Sequence, residues 1–216
     1  MIIDNESILI VDDHPVVLSG LELMIADIKP QATITTVLSS EQALDCLGGN
    51  VVFDWIFIDV KLPGISGIEL VDQLRKNGNL SNIIMLSSEL TLDLMEEMLQ
   101  FNINGILSKS FDKGIFLDCF EKVEQGKIFM KEEYEKNLEF YRQGLLRERK
   151  RIEEHLSSRQ IEILTMIAMG CSNNEIAINL GISINTVKNH VACVMDIFEA
   201  KNRTHCVSEA QRLKLI

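Results

Sequence analysis

The chain has 216 residues, 46% of them hydrophobic, and a formal net charge of −11 at pH 7. This length accommodates one large or two modest domains, and the apolar content excludes a disordered chain. No apolar run reaches the roughly 18 residues of a membrane span, and the N-terminus lacks a signal-peptide pattern. Five scattered cysteines without a C-x-x-C pair predict reduced thiols in a cytoplasmic protein.

The negative charge is unevenly distributed. Nearly all of the acidic excess falls in residues 1–130, whereas residues 131–216 are close to neutral. An acidic protein is a poor ligand for nucleic acid, but the second part of this chain is not itself acidic. The charge therefore permits DNA binding there without indicating it.

Short apolar, β-branched runs alternate with amphipathic stretches through the first domain, residues 1–126. The predicted strands are residues 7–11, 33–37, 55–58, 82–86 and 104–107. The predicted helices are residues 16–28, 41–47, 68–76, 89–101 and 113–125. This alternation predicts an α/β domain, with a doubly wound sheet of five parallel strands covered by helices on both faces.

Polar residues follow four of the predicted strands. Asp12 and Asp13 follow the first strand, Asp59 the third, Ser87 the fourth and Lys109 the fifth. In such sheets the ligand binds outside the carboxyl ends of the strands, so we expect these side chains to share one edge. Alone, each has a plainer interpretation as a cap, a turn residue or a solvated lysine, but their joint order favours a site.

The expected cluster of carboxylates has a clear chemistry. Two carboxylates about 5 Å apart repel by roughly 3 kcal/mol at an effective dielectric constant of 20, and a hard cation such as Mg²⁺ relieves that repulsion. One carboxylate could then attack a phosphoryl donor and form an acyl phosphate. Lys109 and Ser87 would bind the phosphoryl oxygens, because positioning and charge stabilisation dominate this reaction.

Residues 127–156 change character and predict a highly charged linker helix. A short apolar stripe runs along it through Tyr134, Leu138, Tyr141, Leu145 and Ile152. One interpretation is a linker helix that is solvated or packed on the first domain. The other is a short coiled coil in a dimer, although fewer than three clean heptads are present.

Residues 157–216 predict a compact helical domain. Ser157-x-x-Gln160 and Ser172-x-x-Glu175 are capping-box patterns, and Gly181 suits the turn before a further helix. Helix, short turn and helix is the pattern of a helix-turn-helix. The last of these helices, residues 184–198, shows a polar face with Thr186, Lys188 and Asn189, the side chains that could meet base edges in a major groove.

Basic residues are few on this polar face, and Asp196 should repel phosphate. Since phosphate contacts supply most of the non-specific affinity, a single domain should bind weakly. Tight binding then requires two copies of the chain on neighbouring half-sites.

Serial motifs along the chain resemble the response regulators of the NarL/FixJ family, which carry a LuxR-type helix-turn-helix. The receiver-like segments are I-L-I-V-D-D-H-P at 8–15, I-F-I-D-V-K-L-P-G-I-S-G-I-E-L at 56–70, L-S-S at 86–88 and G-I-L-S-K at 105–109. The LuxR-like segments are L-S-S-R-Q-I-E-I-L at 156–164, G-C-S-N-N-E-I-A at 170–177, L-G-I-S-I-N-T-V-K-N-H-V at 180–191 and N-R-T at 202–204. The resemblance covers nearly the whole chain.

The resemblance implies a flavodoxin-like receiver whose phosphoacceptor is Asp59, phosphorylated by a partner histidine kinase, with Ser87 and Lys109 on the phosphoryl group. The implied Mg²⁺ site consists of Asp12 (through water), Asp13, Asp59 and the backbone carbonyl of Lys61. It also implies a four-helix LuxR-type domain that binds double-stranded promoter DNA as a homodimer favoured by phosphorylation. The implied DNA contacts are Thr186, Lys188, Asn189, Lys201 and Arg203.

Three positions depart from the family pattern: Ile106 stands where an aromatic residue is usual, Ser110 where proline is common, and Leu18 where arginine is frequent. The departure at Ile106 leaves open an orphan regulator that works without phosphorylation. An aspartate-based phosphatase is a second alternative, although its D-x-D acids lie two residues apart and here they are adjacent. A third alternative is an interaction protein that has lost DNA binding. It is motivated by the lack of basic residues at and around Ala192 and Asp196, where family members often carry them.

Overall fold

The computed structural model describes residues 5–48, 51–110 and 112–216. It divides into two compact units, Met1–Leu138 and Glu139–Ile216. The N-terminal segment that lacks a signal-peptide pattern lies largely outside the described residues, which begin at position 5. Within the described ranges, no helix combines the length and the apolar character needed to cross a membrane.

The first unit is built on one five-stranded parallel sheet with the order β2-β1-β3-β4-β5. The strands are β1 (Ser7–Val11), β2 (Thr33–Val37), β3 (Trp55–Asp59), β4 (Asn82–Ser87) and β5 (Gly105–Ser108). The helices are α1 (Pro15–Ile28), α2 (Ser40–Gly48), α3 (Gly67–Lys76), α4 (Leu92–Met98) and α5 (Lys113–Glu124). The predicted doubly wound α/β domain is confirmed.

The sheet has this form because its central strands are apolar on both faces. Every residue of β3 is buried, as parallel strands covered by helices require. On one face an aromatic cluster joins the sheet to α5, where the Trp55 and Phe120 rings meet edge to face at 4.7 Å. This packing fixes the strands rigidly and so fixes the positions of the polar residues at their carboxyl ends.

The predicted helix at residues 89–101 is only partly correct. The helix α4 begins at Leu92, after Thr91 caps it by accepting a hydrogen bond from the Leu94 amide. The three residues Leu99–Phe101 form a 3-10 turn, which ends where Asn102 adopts a left-handed conformation at φ 54°. The apolar periodicity did not reveal that residues 88–91 form a loop, because that loop is fixed by contacts with the sheet edge.

The second unit is entirely helical in the residues described. Its helices are the C-terminal part of α6 (Glu132–Glu153), then α7 (Ser158–Ala168), α8 (Asn173–Leu180), α9 (Ile184–Ile197) and α10 (Arg203–Arg212). Both predicted capping boxes are present, at Ser157 and at Ser172. Gly181 adopts a left-handed conformation at φ 63° and ends α8, as a tight turn between two helices requires.

The second half of the linker helix packs within the second unit. Ile152 of α6 is fully packed in an apolar cluster with Val194 and Phe198, and Leu145 packs against the same cluster. Arg212 of α10 adds an ion pair to Glu148 at 2.9 Å. Ile152 and, in part, Leu145 therefore contribute to the core of the second unit and do not form a solvated face.

The predicted domain limits at 126/127 and 156/157 stay predictions. The two compact units divide between Leu138 and Glu139, which lies within α6. The second half of the linker helix thus belongs to the same compact unit as α7 to α10.

Candidate metal centre and nucleic-acid interface

The carboxyl ends of the sheet bring four predicted residues to one edge. Asp12 follows β1, Asp59 and Ser87 end β3 and β4, and Lys109 follows β5. The first three are buried. The parallel register places them together, since Asp59 pairs with Leu86 and Ser87 pairs with Ser108 across neighbouring strands.

Lys109 is the cation of this cluster. Its Nζ lies 2.7 Å from Asp12 Oδ2 and 2.8 Å from Asp59 Oδ2. Burial raises the pKa of the Asp59 carboxyl above its usual value, while pairing with Lys109 opposes that rise. Burial acts to lower the pKa of Lys109, but its contacts with the two carboxylates outweigh burial and raise it. Lys109 is therefore held in its charged form.

The same edge offers a set of donor atoms suited to a cation. Asp12, Asp13, His14 and Asp59 each present a ligand atom, and these atoms all lie within 4.8 Å of one another. Lys109 Nζ lies 2.7 Å from Asp12 Oδ2, and His14 Nδ1 lies 2.7 Å from Asp13 Oδ1. Carboxylate oxygens this close together fit a hard divalent cation, which relieves their mutual repulsion.

The segment after β3 approaches the site closely. A Cβ at Gly67 would lie 2.0 Å from the backbone carbonyl oxygen of Asp59. Ser66 starts α3 through a capping box with Glu69. Sequence reasoning did not single out these residues, although the spacing Ser66-x-x-Glu69 is the usual signal of a capping box.

The hydroxyl of Ser87 is already engaged in hydrogen bonds with Glu89. Its Oγ donates to the backbone carbonyl of Glu89 at 2.6 Å and accepts from the Glu89 amide at 3.2 Å. The Glu89 carboxylate also pairs with Lys61 Nζ at 3.2 Å. No sequence pattern indicates this role of Glu89, because an acid two residues beyond a strand end is usually solvated.

Ile106, the residue at the usually aromatic position, is buried in β5. It pairs with Met85 in the register of the sheet, and its amide donates to the carbonyl of Phe129 at 2.9 Å. Its backbone is therefore fixed on both sides.

In the second unit, α8 and α9 form the predicted helix-turn-helix. Ser183 caps α9 and accepts from the Thr186 amide. Thr186, Lys188 and Asn189 are exposed, and the face that Val187 belongs to is packed against α7 and α8. The predicted readout face is thus turned away from the core of its own unit.

The two other predicted DNA contacts lie at and before α10. Lys201 is exposed. Arg203 is half-buried, and its guanidinium donates to Asn173 Oδ1 at 3.1 Å and to the carbonyl of Cys171. In this structure Arg203 joins the start of α10 to the start of α8, so a phosphate contact would compete with these bonds.

Comparison with known families gives two matches along the chain. Residues 8–120 match the response regulator receiver domain. Residues 154–210 match the luxR family of bacterial regulatory proteins.

Individual proteins resemble the chain over nearly its whole length. The Bacillus subtilis transcriptional regulatory protein YdfI is 27% identical over 95% of each chain. The Staphylococcus aureus response regulator protein VraR is 26% identical over 97% of this chain and 98% of its own. Among solved structures, the Salmonella typhimurium response regulator RcsB superposes with a TM-score of 0.61 at 21% identity, covering 97% of this chain and 99% of that one. A complex of RcsB with DNA has also been solved, with a TM-score of 0.58 at 22% identity and the same two coverages.

Proposed function

The chain belongs to the response regulator receiver family, with a luxR-type domain at its C-terminal end, and we propose that it is a DNA-binding transcriptional regulator of a two-component system. Asp59 accepts a phosphoryl group from a partner histidine kinase, and phosphorylation favours dimerisation and promoter binding. The observation that carries this proposal is the buried Asp59 carboxylate, held against Lys109 at the carboxyl edge of the sheet.

The reaction at Asp59 is a phosphoryl transfer. An Asp59 carboxylate oxygen attacks the phosphorus of the kinase phosphohistidine, so that a P–O bond forms and the P–N bond breaks. The electron pair of the P–N bond passes to the imidazole nitrogen, which takes up a proton. Lys109 opposes the rise that burial causes in the pKa of Asp59, and it offers a fixed positive charge to the phosphoryl oxygens.

Mg²⁺ is the cofactor that the site residues fit. Asp12, Asp13 and Asp59 would hold it, with the backbone carbonyl of Lys61 as a further ligand, and the ligand atoms of the three aspartates, which lie within 4.8 Å of one another, support this assignment. When bound, the ion neutralises the crowded carboxylates and the charge of the transferring group. Chelation should therefore abolish phosphorylation.

Helix α9 reads the DNA. Its exposed Lys188 and Asn189 suit guanine and adenine edges in a major groove, with Thr186, Lys201 and Arg203 beside them. The few basic residues make one domain a weak binder. This weakness and the solved structure of two dimers of the similar protein RcsB bound to two parallel DNAs support binding as a homodimer.

The protein acts in the cytoplasm as a regulator and has no turnover of its own. A phosphatase role would require hydrolysis of small phosphate esters, and we expect none. The matches to two families of regulatory proteins support this expectation.

The decisive experiment measures DNA binding by the full chain with and without beryllofluoride. Bound DNA is first mapped in cells, and a recovered promoter fragment is then titrated with wild type, Asp59→Asn and Asp45→Asn. Asp45 is an exposed acid on α2, so its variant controls for the loss of one charge. We expect beryllofluoride to tighten binding by wild type and by the control variant, but not by Asp59→Asn. Equal affinity in all states would instead favour an orphan regulator.

A further inference from the structure

The loop of residues 88–91 is tied to the mouth of the Asp59 site through Glu89. The Ser87 hydroxyl donates to the Glu89 carbonyl at 2.6 Å, and the Glu89 amide donates back at 3.2 Å. The Glu89 carboxylate reaches across to Lys61, whose Nζ lies 3.2 Å from Oε2. Lys61 follows β3 and Glu89 follows β4, so this ion pair, called here the Lys61–Glu89 latch, joins the two loops beside Asp59.

The latch determines what Ser87 can do. A serine hydroxyl can donate one hydrogen bond, and here it donates that bond to the Glu89 carbonyl. Ser87 therefore cannot donate to a phosphoryl oxygen on Asp59 while residues 87–89 keep this arrangement. The bond between the Ser87 hydroxyl and the Glu89 carbonyl must break before Ser87 can bind the phosphoryl group.

A phosphoryl group on Asp59 would act on the two ends of the latch in opposite directions. It adds about 1.5 to 2 negative charges, which attract the Lys61 ammonium two residues away and repel the Glu89 carboxylate. We infer that the Lys61–Glu89 latch holds Ser87 in its non-donating position in the unphosphorylated protein, and that phosphorylation of Asp59 opens the latch by drawing Lys61 to the phosphoryl group. This inference rests on the proposed phosphorylation of Asp59.

The latch also offers a route out of the site that needs no aromatic side chain. Ile106 is a buried aliphatic residue, so it cannot reproduce the movement of a ring. The loop that Glu89 anchors runs directly into Thr91, which caps α4. Release of Glu89 would therefore alter the start of α4.

The magnitude of the effect follows from exposure. The side chains of Lys61 and Glu89 are 66% and 77% exposed, and exposed ion pairs shift an equilibrium by no more than about fivefold. The latch is therefore a bias that phosphorylation overcomes easily, not a block.

A double-mutant cycle tests the latch in the full chain with Mg²⁺, with beryllofluoride affinity measured by fluorine NMR. We expect Glu89→Gln to tighten beryllofluoride binding by about two- to fivefold when Lys61 is present, and by clearly less in the Lys61→Gln background, where only the repulsion by Glu89 is removed. The same gain in both backgrounds would mean that Glu89 acts by repulsion alone. That result, or no gain in either, would overturn the latch.

A matched control is available on α6. Lys136 and Glu132 pair at 2.7 Å with side chains 73% and 76% exposed, so Glu132→Gln removes an equally exposed acid and ion pair. It should leave beryllofluoride affinity unchanged. An equal gain in this variant would assign the effect to net charge and refute the latch.

Amide hydrogen exchange tests the contact without phosphorylation. The amide at position 89 is bonded to Ser87 Oγ, so Glu89→Gln and Lys61→Gln should each speed its exchange about two- to fivefold, and Glu132→Gln should not. Unchanged exchange refutes the latch even if Asp59 is phosphorylated. If wild type binds no beryllofluoride, the proposed function fails, and with it the role of the latch in phosphorylation, whatever the exchange rates are.

Discussion

Truncation of Ile152 to alanine tests whether the linker helix is part of the second unit. Ile152 is 2% exposed and lies in a cluster with Leu164, Val194 and Phe198. In a solvated linker the substitution would be neutral or slightly stabilising, because alanine is the better helix former. In the packed arrangement it leaves a cavity. The sign of the effect therefore distinguishes the two arrangements.

The expected cost follows from core truncations of this type. Replacing a buried isoleucine by alanine costs about 2–5 kcal/mol, and the helix propensity of alanine returns a few tenths of that. We expect a loss of about 3 kcal/mol in the free energy of unfolding of the second unit. With an m-value near 1.5 kcal/mol/M in urea, the midpoint should fall by about 2 M.

The sequence supplies its own reporter for this assay. Trp55 is the single tryptophan and is buried in the first unit, so its fluorescence follows that unit, whereas circular dichroism follows the helices of both. Ile152→Ala should move the part of the dichroism transition that comes from the second unit to lower urea concentration. The fluorescence transition should stay at the same urea concentration. Leu146→Ala, on the same helix but 66% exposed, should change stability by less than about 0.5 kcal/mol.

If Ile152→Ala lowers the free energy of unfolding of the second unit by less than about 0.5 kcal/mol, the packing of the linker helix is refuted. A transition midpoint that rises with protein concentration would instead indicate a coiled-coil dimer. A shift of the fluorescence transition as large as that of the dichroism transition would show that the two units do not unfold separately.

Three further predictions concern single side chains. Gly67→Ala should destabilise the first unit by about 3 kcal/mol in urea, because its Cβ would lie 2.0 Å from a backbone carbonyl. Lys188→Ala should weaken binding to promoter DNA by about 1–3 kcal/mol without loss of stability, whereas Arg203→Ala should lower the melting temperature, because it removes the bonds to α8. Iodoacetamide at pH 8 should label the exposed Cys193 in the folded protein, and Cys206 only after unfolding, since burial raises the pKa of the Cys206 thiol to about 11.

The sheet and the helix starts were predictable because their signals are local. Strand residues such as those of β1 and β2 follow a short-range apolar pattern, and the structure gives both with the predicted bounds, Ser7–Val11 and Thr33–Val37. The caps at Ser157 and Ser172 depend on a partner only three residues away. The clustering of Asp12, Asp59 and Lys109 was predictable from the sequence as well, because parallel strands place their carboxyl ends at one edge of the sheet.

Other features required the tertiary structure, because they depend on contacts between distant residues. An amphipathic stripe shows that one face of a helix is buried, but not what covers it, so the packing of Ile152 on Val194 could not be derived from α6 alone. Arg203 is a basic residue whose bond to Asn173 spans 30 positions.

The site divides in the same way. The residue types and their order along the chain determined the chemistry proposed for Asp59 and Lys109. Only the tertiary structure decided that the Ser87 hydroxyl is bound to Glu89 and that Glu89 meets Lys61 from another strand end. The reason is physical: a strand end fixes where a side chain begins, whereas its hydrogen-bond partner depends on how neighbouring loops fold over the sheet.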